Sequence, residues 1–118
     1  RFPLFFSADS PHRLDITCDS PEEIAALART HFACDGKGML VVTPVPPSHS
    51  IALPQLEHWI DTALAEAAAQ QIAGKAVTPF LLARLEAISG GRTLAANQAL
   101  IENNARLAGL IASALEKS

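Results

Sequence analysis

The 118-residue chain has few cysteines, no long apolar run and no cluster of basic residues. Its two cysteines, Cys18 and Cys34, lack metal-ligand spacing. We interpret them as free, buried thiols of a cytoplasmic protein, although a disulfide in an oxidising compartment stays open. No stretch approaches the ~18 consecutive apolar residues that a membrane span needs. These absences exclude a disulfide scaffold and predict a chain that does not associate with a membrane.

Charge and composition narrow the class of protein further. The net charge is −3, and the lysines and arginines are scattered without interleaved aromatic residues, which argues against a nucleic-acid partner. A composition of 49% hydrophobic and 18% charged residues is typical of a packed globular domain. The length suits one small domain.

Strand-like sequence is also scarce. Met39 to Thr43 forms an apolar, β-branched run that predicts a strand buried on both faces of a parallel or mixed sheet. Residues 13–18, RLDITC, are a candidate edge strand. Because a lone strand cannot satisfy its own hydrogen bonds, and because the chain begins with Arg1 and not Met, we expect further sequence upstream. The loop after the buried run, PVPPSHS, is stiffened by prolines and is either a connector or part of a ligand site.

Helix signals occupy most of the remaining chain, which makes the predicted fold class α/β but mainly helical. Helix starts are expected where a capping residue precedes a proline or an apolar stripe, and stops are expected at glycines. The predicted starts are Ser20 with a capping box to Glu23, Leu53, Thr78 and Thr93; the predicted stops are Gly36 with Gly38, Gly74, and Gly90 with Gly91.

The last helix, GRTLAANQALIENNARLAGLI, carries amides on an apolar stripe. Positions 97, 101, 104, 108, 111 and 115 share one face, which is expected to be buried. Asn97 and Asn104 lie ~10.5 Å apart along the axis at ~1.5 Å per residue. A buried amide without partners costs about 1–3 kcal/mol, so each needs a hydrogen-bonding partner. For Asn97, a neighbouring backbone group and a polar ligand both remain open on spacing alone.

The motifs together resemble the pseudouridine-5′-phosphate glycosidases, also called the indigoidine synthase A family. The C-terminal signature consists of a TPFLL helix start, a glycine break, a TLAAN step and an NNA helix. Upstream, FPLFF, DSPEEIA and GMLVVTPVP resemble further family segments in the same order. The resemblance covers nearly the whole chain and identifies residues 1–118 as the C-terminal part of such a domain, a fragment of an α/β/α sandwich.

The resemblance implies an enzyme that reversibly cleaves the C–C glycosidic bond of pseudouridine 5′-phosphate to uracil and ribose 5-phosphate. It also implies a homotrimer and a divalent metal, usually manganese. The nucleophilic lysine, the acidic glutamate and the metal-binding aspartate of the family belong to motifs expected upstream. We therefore assign no catalytic or metal-binding residue in this chain, and Lys37, Lys75 and Lys117 match no family nucleophile motif.

What the resemblance does transfer is a substrate-binding role for Asn97, because an amide both donates to and accepts from a sugar hydroxyl. Asn104 is expected to be a structural amide that joins the helix to a neighbour. The loop SADSPHR departs from the serine-glycine step of relatives, and Pro11 cannot adopt glycine conformations, which puts a ligand-gating role of this loop in doubt.

Two other functions remain open. The chain is also compatible with a non-catalytic helical interaction domain in which the aromatic cluster Phe2 to Phe6 docks a partner. An enzyme of the same family that acts on another phosphorylated ribonucleoside is the third hypothesis. The sequence upstream of Arg1 would separate these hypotheses, because the catalytic set is expected there.

Overall fold

The computed structural model describes residues 4–8 and 10–117 of the chain. In this part of the chain four α-helices carry the fold, and two short 3₁₀ turns lie at Pro47–His49 and Gly74–Ala76. The helices are α1 (Pro21–Ala33), α2 (Leu53–Ala69), α3 (Val77–Ile88) and α4 (Arg92–Glu116). None of these helices is long and apolar enough to cross a membrane.

The helices pack against one another pairwise. α2 lies against α3, α3 contacts α4, and the C-terminal helix α4 runs on to pack against α1. The radius of gyration is 17.7 Å and the extents are 56 × 29 × 22 Å. A compact domain of this length has a radius of about 13.5 Å. The arrangement is therefore elongated, as is expected when a chain is only part of a larger domain.

One apolar core joins distant segments. Its members are Phe6, Val45, Ile51, Leu56, Leu85 and Ala96, with Trp59, Ile60 and Leu100 packed around them. The N-terminal segment is fixed to the core by backbone pairing, because Ile51 N–H donates to the Phe6 carbonyl at 2.9 Å. Ala8 N–H donates to the Ser50 hydroxyl at 3.0 Å. This pairing holds residues 4–8 next to the start of α2.

The predicted start of α1 is confirmed. Glu23 N–H donates to Ser20 Oγ at 3.2 Å, as a capping box requires. The Glu23 carboxylate accepts from Asp19 N–H at 2.8 Å, one residue before the usual position. Acidic residues in the first turn also interact favourably with the helix dipole.

Three other predicted helix boundaries are wrong. α2 ends at Ala69, not at Ile72 before Gly74, because Gln71 adopts a left-handed φ of 56° and Ile72 N–H closes onto the Ala67 carbonyl at 2.9 Å. Thr78 does not cap α3, which begins at Val77. Thr93 does not cap α4: its N–H donates to Ser89 Oγ at 3.2 Å, so Ser89 supplies the cap from the preceding turn.

The two predicted strands are not formed in the described part of the chain. Residues 39–43 have no regular structure, and Leu40 is 79% exposed. Residues 13–18 are also irregular, with Ile16 60% exposed. A strand needs a partner, and no described segment makes backbone hydrogen bonds to residues 39–43. The sandwich and its buried central strand are therefore not observed in residues 4–8 and 10–117.

The predicted apolar stripe of α4 is not the buried face. Ile101 is 58% exposed, and Asn104 is exposed as well. The neighbouring face of α4 is buried instead. On this face Thr93 and Ala96 are buried, and Leu100, Asn103 and Leu107 are half-buried. The helix period is right, but the middle of the stripe, from Ile101 to Ala108, is not covered by any described residue, whereas Asn97 and Ile111 nearer its ends are half-buried.

Candidate functional site

Asn97 is half-buried on α4 and lines an open cleft of about 320 Å³. The cleft lies where the N-terminal segment, α3 and the first turns of α4 meet. Its walls are formed by Phe5, Phe6, Leu82, Ala83, Glu86, Thr93, Leu94 and Asn97. The predicted site residue is therefore at a cleft and not on an open surface.

The bend between α3 and α4 builds one wall of the cleft. Gly90 and Gly91 have φ of 63° and 84°, a left-handed conformation that glycine adopts at little cost. Gly91 N–H donates to the Glu86 carbonyl at 2.9 Å, which closes the end of α3. The predicted glycine break is thus the element that brings α3 and the Asn97 region of α4 together.

The polar groups of the cleft differ in how far their hydrogen bonding is satisfied. Thr93 is buried, and its hydroxyl lies 3.4 Å from Ser89 Oγ, so it belongs to the helix cap. The Asn97 amide makes no hydrogen bond to any described residue, and the exposed Glu86 carboxylate makes no ion pair in the same part of the chain. Asn97 therefore offers a ligand both the N–H donors of its NH₂ group and its acceptor oxygen.

Two aromatic rings form the apolar side of the cleft. Phe6 is only 7% exposed and belongs to the core, whereas Phe5 is 56% exposed. Their ring centroids are 4.6 Å apart at 86°, the edge-to-face geometry that aromatic pairs favour. The sequence showed an apolar cluster without a local cover, but it gave no indication that Phe5 and Asn97 line the same cleft. Phe2, in the same predicted cluster, lies outside the described residues.

The structural amide of α4 is Asn103 and not Asn104. Asn103 Nδ2 donates to Thr43 Oγ1 at 3.4 Å, and Arg106 Nη2 donates to Asn103 Oδ1 at 2.5 Å. Asn104 is exposed, and the prediction that it joins α4 to a neighbour is wrong. The sequence places the two amides one residue apart, which is 100° around a helix, and the stripe pattern favoured the wrong one.

A second cleft, of about 290 Å³, lies between α1 and the C-terminal end of α4. Its main polar residue, Arg29, donates from Nη2 to the Ala114 carbonyl at 2.5 Å and to the Leu115 carbonyl at 3.5 Å. A cation at the last carbonyls of a helix is a structural cap that also suits the helix dipole. Arg29 thus links α1 to the C-terminal end of α4.

The described residues do not form a metal site. Across residues 4–8 and 10–117, no three histidine, cysteine or acidic side chains are grouped closely enough to hold an ion. Lys37 and Lys75 are exposed away from the Asn97 cleft, and Lys117 lines the second cleft. Cys18 and Cys34 are free thiols, but Cys34 is exposed, so the prediction that both are buried is wrong.

Two solved structures share this fold. An indigoidine synthase A-like protein from Thermotoga maritima matches with a TM-score of 0.75 and 34% identity, over 97% of this chain and 37% of that protein. The prealnumycin C-glycosynthase AlnA, solved with ribulose 5-phosphate, matches with a TM-score of 0.72 and 29% identity, over 87% of this chain and 35% of that protein. The class is therefore that of the indigoidine synthase A-like folds.

The sequence comparison gives the family itself. The family model described as Indigoidine synthase A like protein matches residues 1–114, and the chain belongs to this family. The pseudouridine-5′-phosphate glycosidase of Methylobacterium nodulans is 52% identical over 98% of this chain and 34% of the relative. That of Mesorhizobium japonicum is 48% identical over 96% of this chain and 37% of the relative. The chain thus spans about a third of the length of these relatives, and the resemblance drawn from its motifs is confirmed.

Proposed function

We propose that the chain is the C-terminal part of a pseudouridine-5′-phosphate glycosidase. The full enzyme would cleave the C–C glycosidic bond of pseudouridine 5′-phosphate with water, reversibly, to give uracil and ribose 5-phosphate. Relatives that are 52% and 48% identical over nearly the whole chain bear this enzyme's name, which supports the proposal. The protein would act in the cytoplasm.

The observation that carries the proposal is the unpaired amide of Asn97 in its cleft. A half-buried amide that makes no hydrogen bond within the described residues gains free energy when a ligand supplies the partner. A ribose hydroxyl suits it, because the hydroxyl accepts from the amide N–H₂ and donates to the amide oxygen. We assign Asn97 this substrate-binding role.

The reacting groups would come from the upstream part of the enzyme. No lysine lines the Asn97 cleft within the described residues, so the nucleophilic lysine is proposed upstream. Glu86 lines the cleft, but the acidic glutamate of the family belongs to a motif expected upstream, and we propose it there as well. A divalent metal such as manganese does not fit the described residues, which lack a ligand cluster, and we place it upstream as well. The homotrimer expected from the resemblance is part of the same proposal.

The upstream part would also complete the fold. Met39 to Thr43 has the composition of a buried strand, but Leu40 and Val41 are exposed, the other three residues are only half-buried, and the backbone has no strand partner in the part described. An unpaired apolar strand segment pairs readily with another strand. We propose that it becomes the central strand of a sheet whose other strands lie upstream.

The test is an assay of uracil release from pseudouridine 5′-phosphate, with this chain alone and with a full-length protein that contains it. The full-length protein is expected to turn over and the isolated chain is not. Turnover by the isolated chain would contradict the division of labour. Absence of turnover in both, with a monodisperse and folded monomer of the isolated chain, would favour the non-catalytic interaction domain.

A second candidate follows from the likeness to AlnA, a C-glycosynthase solved with ribulose 5-phosphate. This likeness supports an enzyme of the same family that also uses a sugar phosphate but joins it to a group other than uracil. The same assay separates the two candidates when ribose 5-phosphate is offered with uracil and with other planar acceptors. Product formation with another acceptor but none with uracil would favour this second candidate.

A further inference from the structure

The Phe5 ring is held in place while remaining accessible to a ligand. Phe6, beside it, is anchored in the core, and its backbone carbonyl accepts a hydrogen bond from Ile51. The edge-to-face contact between the two rings then restricts the orientation of Phe5. Phe5 nevertheless stays 56% exposed. A fixed, accessible aromatic ring in a cleft is suited to stacking on a planar group.

The lining of the cleft offers both apolar and polar groups. Leu82 and Leu94 line the cleft while 48% and 45% exposed, so with Phe5 they present apolar surface to a ligand, and the polar lining includes Glu86. Asn97 is the unpaired amide of the same cleft. A sugar phosphate has hydroxyl and phosphate oxygens but no π face, so it can use the amide and gains little from the ring. A nucleobase has both a π face and polar edges and can use the ring.

We propose that Phe5 stacks on the nucleobase of the substrate and thereby sets the preference for a planar base, while Asn97 binds the sugar. This inference rests on the function proposed above and extends it to the residue that recognises the base. It divides one cleft between two elements, with the base on the N-terminal segment and the sugar on α4. Phe5 is a binding residue in this scheme and takes no part in bond cleavage.

The experiment uses the full-length protein with Phe5→Leu, which removes the ring and keeps an apolar side chain. Phe5→Tyr is the conservative variant that keeps the π face. Phe32→Leu is the matched control, because Phe32 is 55% exposed on α1, stacks against His31 and lines neither cleft. Two quantities are measured: the KM for uracil in the synthetic direction, and the Kd for ribose 5-phosphate by calorimetry.

We expect Phe5→Leu to raise the KM for uracil about tenfold, in line with the loss of one base–aromatic stack. Its Kd for ribose 5-phosphate should stay at the wild-type value, and Phe32→Leu should leave both quantities unchanged. Phe5→Tyr, which keeps the ring, should raise the KM for uracil by less than Phe5→Leu does. Far-UV circular dichroism checks the fold of each variant. If Phe5→Leu is misfolded, Phe5→Met, which also lacks a ring, carries the same expectation.

The inference is overturned if a folded ringless variant keeps the wild-type KM for uracil, or if it weakens ribose 5-phosphate to the same extent. In either case an active wild type would leave the proposed function standing. A wild-type protein that neither forms product nor binds ribose 5-phosphate would instead refute the proposed function, and the inference with it.

Discussion

The amide of Asn103 donates to the hydroxyl of Thr43 at 3.4 Å, across 60 positions of sequence. Arg106 holds the other end of the amide by donating to Asn103 Oδ1. Two residues beyond Thr43, the side chain of Val45 is fully buried in the core. The link therefore fixes the end of the run Met39 to Thr43 to the middle of α4.

Replacing Asn103 with alanine should lower the free energy of unfolding by about 1 kcal/mol, because a part-buried hydrogen bond is lost. The matched control is Asn104→Ala, one residue away and exposed, which should change stability by less than about 0.5 kcal/mol. Urea denaturation of the full-length protein measures both. Equal effects of the two substitutions would contradict the structural assignment of Asn103.

Asn97→Ala should reduce kcat/KM for pseudouridine 5′-phosphate by up to about tenfold, because a hydrogen bond to a ribose hydroxyl is lost. Stability should change little, because the amide makes no hydrogen bond to described residues. Asn104→Ala, two turns along the same face, should keep wild-type kinetics. Wild-type kcat/KM in folded Asn97→Ala would remove the physical support for the assigned role.

Gly36→Ala should destabilise the protein by about 1–3 kcal/mol, the range for overpacking. An added Cβ would lie 2.3 Å from the His31 carbonyl oxygen and 2.5 Å from its ring, in the turn that ends α1. Gly38→Ala is the matched control, since nothing lies within 4 Å of its added Cβ. Thermal unfolding of the two variants should differ clearly, and similar midpoints would show that the turn relaxes.

Leu40→Ala should affect stability to different extents in the isolated chain and in the full-length protein. In the isolated chain Leu40 is 79% exposed, and the change should be within about 0.5 kcal/mol. In the full-length protein, where we propose a central strand, it should cost about 2–5 kcal/mol, as for a buried leucine. Hydrogen exchange gives a second readout: the amides of residues 39–43 should be protected only in the full-length protein. Fast exchange in both would refute the strand.

The pH dependence of stability should carry a contribution from Glu66. Hydrogen bonds from Arg84, with one at 2.9 Å, hold the pKa of Glu66 below its usual 4.5, although partial burial opposes this. Because this pKa is lower in the folded state, the carboxylate contributes its full stabilisation above pH 4.5. That contribution is lost as the pH falls through the pKa of the folded state. Glu66→Gln should therefore lower the thermal midpoint at pH 7 but not in strong acid.

The control for Glu66→Gln is Glu57→Gln on the same helix. Glu57 is exposed and makes no ion pair in the part of the chain that the structure describes. Its thermal midpoint should follow that of the wild type at every pH. The effect of Glu66→Gln itself should be small, since the two side chains are 33% and 39% exposed. A constant difference between Glu66→Gln and wild type down to strong acid would show that charge is not the cause.

Local signals in the sequence predicted local structure well. Ser20 with Glu23 predicted the start of α1, and the glycine pair at 90 and 91 predicted the bend before α4, because caps and left-handed turns depend on neighbouring residues alone. The motifs also identified the family, since their order along the chain is a property of the sequence. The boundary at Thr93 was missed because Ser89 competes as the capping residue. The boundary at Thr78 was missed because α3 begins at Val77, directly after the 3₁₀ turn and without a side-chain cap.

What the sequence alone determined was thus the number of helices, their periodicity and the family. Tertiary structure decided which face of α4 is buried, which of two adjacent asparagines bonds to Thr43, and that Phe5 shares a cleft with Asn97. It also left the backbone of residues 39–43 without a strand partner among the described residues. The physical reason is that burial and pairing depend on partners distant in the chain, whereas a periodic pattern records only that some partner is needed.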